Sequence, residues 1–200
     1  RWREATPDYY LMPVCNGERT LSNLLVWTAK GLLDIVGPEG VYTDCDSMWP
    51  CENRSHGHGF TDQFGNSGVT YPVLEHRSLA KRLATIVRET RGEGGQRGYW
   101  MSHSHSKLTV PIHGFADFWY PGEQYTGDLY NNDWFYVDEL DPTAWRAQLS
   151  GYPSGVVHVF LPEFVRGSKE PEDRERPELA ESLFAMCATS DVNTSAAYLE

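Results

Sequence analysis

LSNLLVWTAKGLLDIVGPEGVYTDC, residues 21–45, decides the fold. Leu21, Leu24, Leu25, Leu32 and Val36 recur at helical spacing, Thr20 ahead of them is a candidate N-cap, and Gly37-Pro38 stops the pattern. GVYTDC at 40–45 then reads as a short strand that breaks directly into acidic residues. Upstream, the aromatic and apolar segment DYYLMPV at 8–14 ends at Cys15-Asn16-Gly17 and reads as a buried strand followed by a turn. Strand, helix and strand in succession make one βαβ unit, and a helical crossover joins strands that run parallel.

The same alternation continues outward. Residues 46–72 hold four glycines, two prolines and few aliphatic side chains, which predicts a long loop of the kind compact domains keep for function. A second helix is expected over 73–91, with Leu74, Leu79, Leu83, Ile86 and Val87 facing inward until Gly92 ends it. Strands are expected at 97–103, 111–117 and 155–162, and helices from Asp141-Pro142 and from Pro177. The run GSKEPEDRERP before Pro177 reads as a solvated connection. About five strands and four helices in this order predict an α/β fold with a mainly parallel sheet. A complete (β/α)8 barrel takes ~250 residues. Residues 1–200 are therefore read as one TIM-like α/β domain, the later part of a barrel and a piece of a longer chain.

Composition removes several partner classes. The chain has 28 acidic against 17 basic residues, a net charge of -11 that repels a phosphate backbone, so nucleic acid is not expected as a partner. No apolar run approaches the ~18 residues of a membrane span, and RWREATPDYY lacks the basic-then-apolar order of a signal peptide. The four cysteines include no C-x-x-C pair, which argues against a zinc knuckle. Cys45 and Cys51, the two close in sequence, read either as a small disulfide or as buried thiols. Asn53-Arg54-Ser55 and Asn193-Thr194-Ser195 match the glycosylation acceptor pattern. Nothing in the sequence sets an oligomeric state.

In parallel α/β folds the functional groups gather where strands end at their carboxyl side. That rule selects Asp44-Cys45-Asp46, Ser102-His103-Ser104-His105, Asp117 with Glu123, and Pro162-Glu163. The strongest local signal is FADFWYPGEQYTGDLYNNDWFY at 115–136, with nine aromatics, four carboxylates and no Lys or Arg. A saccharide needs this mixture, because its C–H faces pack on aromatic rings and its hydroxyl rim hydrogen-bonds to carboxylates. The competing reading is an aromatic satellite core beneath a long loop. Glycoside cleavage takes two carboxyl groups, one protonated to release the leaving oxygen and one ionised to attack or to stabilise the cationic centre. Asp44, Asp117 and Glu123 are the catalytic candidates. Asp46 either binds a substrate hydroxyl, caps a turn or shares a metal with Asp44.

The two His-x-His pairs carry a rival chemistry. His103 and His105, alternate residues at a strand end, have the spacing of paired metal ligands, and His158 with Asp191 would complete an amidohydrolase-like set. Barrels of that kind place the pair on their first strand, whereas three strand-helix units precede this one. No metal or cofactor is expected on balance. His56 and His58, in the flexible SHGHG, are read equally as substrate contacts or as idle loop residues, and His113 and His158 as core or edge histidines. There is no G-x-S-x-G elbow, P-loop, dinucleotide fingerprint or H-E-x-x-H.

GVYTDCDSMWPC, SHGHGFTDQFGN, TYPVLEHRSLAKRLATIV, WMSHSHS and FADFWYPGEQY together resemble the bacterial glycoside-hydrolase-like barrel proteins over most of residues 8–190. The anchors are Tyr42-Thr43-Asp44, His76-Arg77 with Lys81-Arg82, and Gly122-Glu123. The resemblance implies the later strands of a (β/α)8 barrel, often carried with β-rich domains. A more distant likeness, to α-galactosidase-type barrels, implies Asp44 as nucleophile and Asp117 as acid/base, with Glu123 an equal candidate for proton donor. Tyr42 stands where those enzymes carry a lysine. The expectation is a carbohydrate-directed glycosidase in an extracellular or periplasmic setting. His103, His105, Trp119 and Tyr125 would shape its pocket, with a non-catalytic carbohydrate-binding barrel and a metal-dependent hydrolase as alternatives.

Overall fold

The computed structural model describes residues 4–6, 9–10, 14–92, 94–104, 108–150, 155–163 and 177–195. The chain forms two compact units that interleave in sequence: Arg1–Glu39 with Met48–Gly98, and Gly40–Ser47 with Tyr99–Glu200.

In the first unit, helix α1 (Arg19–Val36) starts two residues earlier than Thr20 would allow as a cap. Glu18 is the N-cap, and its carboxylate accepts from the backbone N–H groups of Thr20 at 2.9 Å and Leu21 at 2.7 Å. These two donors hold its carboxyl below the usual carboxylate range. Gly37 ends the helix in the left-handed conformation, as its position in the sequence predicts. Ser22 and Leu33 are buried, while Leu24, Leu25, Leu32 and Val36 are exposed. Helix α2 (Val73–Glu89) buries His76, Leu79, Ala80, Leu83, Ala84 and Val87. Leu74, expected on this stripe, is 75% exposed. It lies about 200° around the helix from His76, which takes the inward position instead. Leu74→Ala should therefore shift stability by less than ~0.5 kcal/mol in chemical denaturation, whereas Leu79→Ala should cost ~2–5 kcal/mol.

The segment expected to be a long loop is braced from within. Cys51 and Thr70 exchange backbone hydrogen bonds at 2.9 Å in both directions. Phe60–Thr61 pairs antiparallel with Ser67–Gly68 across a turn in which Asp62 accepts from the N–H groups of Phe64 and Asn66. Ahead of α1, residues of the expected strand 8–14 contribute Tyr9–Tyr10, paired antiparallel with Glu4–Thr6. Residues 11–13 lie outside those described.

The second unit holds a five-stranded parallel sheet of β1 (Gly40–Thr43), β2 (Tyr99–Ser102), β3 (Phe118–Trp119), β4 (Val157–Phe160) and β5 (Asn193–Thr194), in that order. Five parallel strands were expected, but two of the members differ. The stretch 111–117 is not a strand. Val110–His113 is instead a helical turn, α3, because Pro111 has its φ preset for a first turn and lacks only an N–H that such a turn leaves unbonded. The strand begins at Phe118. β5 contains Asn193, whose side chain donates to His158 O at 3.1 Å, so the second glycosylation pattern lies on a sheet edge.

Helices α4 (Thr126–Leu129), α5 (Phe135–Asp138), α6 (Pro142–Ala144) with the π-turn Trp145–Leu149, and α7 (Pro177–Thr189) supply the second unit's core. Asp141 caps α6 by accepting from Thr143 N at 2.7 Å, with Pro142 next, as the sequence predicts. Tyr136 and Trp145 meet Phe160 edge-on at 5.1 and 5.7 Å. Leu129, Leu149, Leu183 and Cys187 close around them. Burial pushes the Cys187 thiol up to about 11. Among the described residues no helix is long and apolar enough to cross a membrane.

Candidate functional site

Strand pairing runs on past the carboxyl ends of β1, β2 and β3, and this gathers the site. His103 N donates to Thr43 O, Asp46 N to His103 O, and Tyr120 N to Ser102 O, at 2.8 to 2.9 Å. Asp44, His103 and Tyr120, each the first residue beyond its strand, thus stand side by side. Cys45 then turns the chain in the left-handed region at φ 52, uncommon for a side-chain-bearing residue, and Asp44 Oδ1 accepts its N–H at 2.8 Å.

The buried His103 ring hydrogen-bonds one carboxylate and lies near a second. Its Nε2 lies 3.0 Å from Glu123 Oε2 and 3.8 Å from Asp44 Oδ1. The side chain of Asp44 is 63% exposed and that of Glu123 14%, against 2% for His103. Tyr42 OH donates to Asp44 Oδ1 at 3.4 Å. The rings of Tyr42 and Tyr120 pack at 6.1 and 5.7 Å from that of His103. Burial raises the Tyr42 phenol, and the charges of Asp44 and Glu123 raise it further. Burial also raises the Cys45 thiol, with the same two carboxylates adding to it. Both carboxylates therefore act on one patch of surface.

Behind them lies a polar lock. Asp46 Oδ2 accepts from Ser102 Oγ at 2.7 Å and from Thr43 Oγ1 at 3.4 Å, and Thr43 Oγ1 accepts from Trp100 Nε1 at 3.0 Å. His113 Nδ1 accepts from Thr109 N at 2.8 Å, which puts the ring proton on Nε2, from which it donates to Asp46 O at 2.8 Å. Asp46 is thus engaged inside the protein as a positioning residue. Glu123 opens a 3-10 turn immediately after Gly122, whose φ is 152° and whose position leaves no room for a Cβ: one would sit 1.9 Å from Leu161 O. Thr126 Oγ1 lies 2.8 Å from both Glu123 O and the buried Glu163 Oε2.

Several expected site residues lie elsewhere. Asp117 precedes β3 instead of ending a strand, and its Oδ2 accepts from Trp100 N at 3.0 Å. Trp100 pairs with Val41, three residues before Asp44, so Asp117 sits ~10 Å down the strands from the carboxyl end where Asp44 stands. Trp119 is buried, donates from Nε1 to Ser104 Oγ at 3.1 Å and meets the His158 ring at 4.6 Å. Tyr125 belongs to the core and donates to Gln148 Oε1 at 2.8 Å. Trp119, Tyr125 and Tyr136 of the aromatic run are therefore buried core rings. The run's ring at the site is Tyr120, which the sequence reading missed although it directly follows a strand end. His158 donates from Nδ1 to Gln148 O at 3.2 Å, and burial lowers its pKa, as befits a core histidine. His105 lies outside the described residues.

His56 and His58 belong to the first unit, where they face Cys51 and Cys15. All four cysteines are free thiols, so Cys45 and Cys51 are not bridged. Among the described residues, Cys15, Cys51, His56 and His58 are the side chains whose metal-binding atoms converge.

Fold and site together define the second unit as a parallel α/β structure with a histidine-linked carboxylate pair at the carboxyl ends of its strands. Comparison with protein-family models, with curated proteins and with solved structures returns no match.

Proposed function

We propose that the second unit is the later arc of a (β/α)8-type barrel and a glycoside hydrolase acting on an oligo- or polysaccharide. The barrel reading rests on strand order: sheet neighbours follow sequence order with all strands parallel, a one-way winding, whereas doubly wound sheets reverse direction partway. The enzymatic reading rests on one observation, that His103 Nε2 reaches both Asp44 and Glu123. Their facing oxygens lie no further apart than those two contacts together, close enough for both carboxyl groups to act on one glycosidic bond.

Glu123, largely enclosed and held by His103, is assigned as the acid/base that protonates the leaving oxygen. Asp44, open to solvent, attacks or stabilises the anomeric centre. Tyr42 and Tyr120 offer ring surface to the sugar's C–H faces. Asp117 has no part in this assignment. The substrate class fits an extracellular or periplasmic setting, and the acidic surface disfavours nucleic acid.

The test is hydrolysis of aryl glycosides and oligosaccharides with product analysis, repeated on Asp44→Asn. Turnover should fall by ~10³-fold or more at unchanged thermal midpoint. Undiminished turnover in the variant would remove Asp44 from the pair. Saccharide binding by calorimetry without any product would make this a binding domain instead.

A further inference from the structure

We infer that the first unit carries a structural zinc site formed by Cys15, Cys51, His56 and His58. Their four ligand atoms lie within 4.8 Å of one another. Cys15 Sγ is 3.3 Å from His58 Nδ1, and Cys51 Sγ is 3.6 Å from His56 Nδ1. A tetrahedral zinc with bonds of ~2.3 Å to sulfur and ~2.05 Å to nitrogen sets its sulfur-nitrogen edges at ~3.6 Å. The two sulfur-nitrogen pairs thus stand near the spacing of such edges, and the two imidazole rings meet edge-on at 87°.

The backbone is shaped to bring them there. Cys15 lies in the turn that leads into α1, where Glu18 N bonds to its carbonyl. Cys51 is fixed by its two hydrogen bonds with Thr70. The N–H groups of His56 and His58 both reach Asn53 O, at 3.1 and 3.3 Å, which folds the segment back towards Cys51. Gly57 and Gly59 flank His58 at φ 76 and φ 75, so the glycines read as loose in the sequence form two tight left-handed turns. A Cβ on Gly59 would meet Glu52 O at 2.9 Å, and one on Gly17 would meet the His58 ring at 2.9 Å.

The donor set selects the ion. Two thiolates and two imidazoles suit zinc, and four protein ligands leave no open position for substrate, which makes the site structural. Residues 46–72 have few aliphatic side chains to hold a fold, and a cation clipping this segment to the start of α1 supplies that cohesion. The inference is independent of the glycosidase reading.

The full chain, expressed with added zinc and purified without chelator, should contain about one zinc per chain by elemental mass spectrometry. Chelation should expose additional thiols to Ellman's reagent and lower the thermal midpoint. Cobalt(II) added to the chelated protein should produce a thiolate-to-cobalt charge-transfer band with tetrahedral d–d bands. Cys15→Ser should weaken that band to about half or less, and Cys45→Ser should keep it. The inference fails if the wild-type chain holds no zinc and cobalt gives no thiolate band, or if intact-protein mass shows Cys15 and Cys51 joined as a disulfide. Both readings use the unaltered chain, so a misfolded variant cannot decide the matter.

Discussion

Glu123→Gln should lower kcat on unactivated oligosaccharides by ~10²–10⁴-fold with the fold intact. The amide keeps the size of the acid, and its oxygen can still accept from His103 Nε2, which now lies 3.0 Å from Glu123 Oε2. What it cannot do is deliver a proton. The loss should therefore depend on the leaving group: an aryl glycoside whose phenolate departs unaided should suffer far less than a disaccharide. Asp44→Asn should behave differently, because a group that attacks or stabilises the anomeric centre is needed whatever leaves. The two profiles distinguish the roles as well as the residues. A retained rate on disaccharides would exclude Glu123 as acid/base.

Long periodic elements were legible in the sequence, and short ones were not. α1 and α2 carry repeating apolar positions and visible stops, and Asp141-Pro142 announces a helix start by capping chemistry. β3 and β5 are two residues each, too short for any alternation to register. Sequence alone therefore suggests 111–117 as the strand with Asp117 at its end, whereas the strand is Phe118–Trp119 and Asp117 precedes it. Asp44 was legible because β1 breaks visibly into acid, and Glu123 because Pro121-Gly122 marks a turn. The rings at 115–136 stay ambiguous in the sequence because composition does not tell an aromatic that lines a cleft from one that fills a core. Trp119, Tyr125 and Tyr136 are buried. Cys15, Cys51, His56 and His58 were invisible as a group. Their convergence needs the Cys51–Thr70 pairing and two left-handed glycines, neither of which leaves a ligand-spacing pattern.

Gly122→Ala should cost roughly 3 kcal/mol or more, and the active fraction should suffer beyond the loss of folded protein. The residue combines φ 152° with ψ -40°, a conformation closed to side-chain-bearing residues, and its Cβ would stand 1.9 Å from Leu161 O. That obstacle is backbone, and it cannot swing aside: Leu161 N donates to Pro121 O at 2.8 Å, so the same pairing that brings the chains together blocks the new methyl. Relief must come from the Pro121-Gly122 turn moving away, and Glu123 is the next residue. Any such shift lengthens its 3.0 Å contact with His103 and breaks up the carboxyl pair. Gly127→Ala is the matched control. It lies in α4 with nothing within 4 Å of the added atom, and should be neutral or stabilising by ~0.5–1 kcal/mol. Denaturation curves for both variants, with activity normalised to folded protein, separate the effects. If Gly122→Ala melts within ~0.5 kcal/mol of the parent chain and keeps its rate, the turn is not what holds Glu123 on His103.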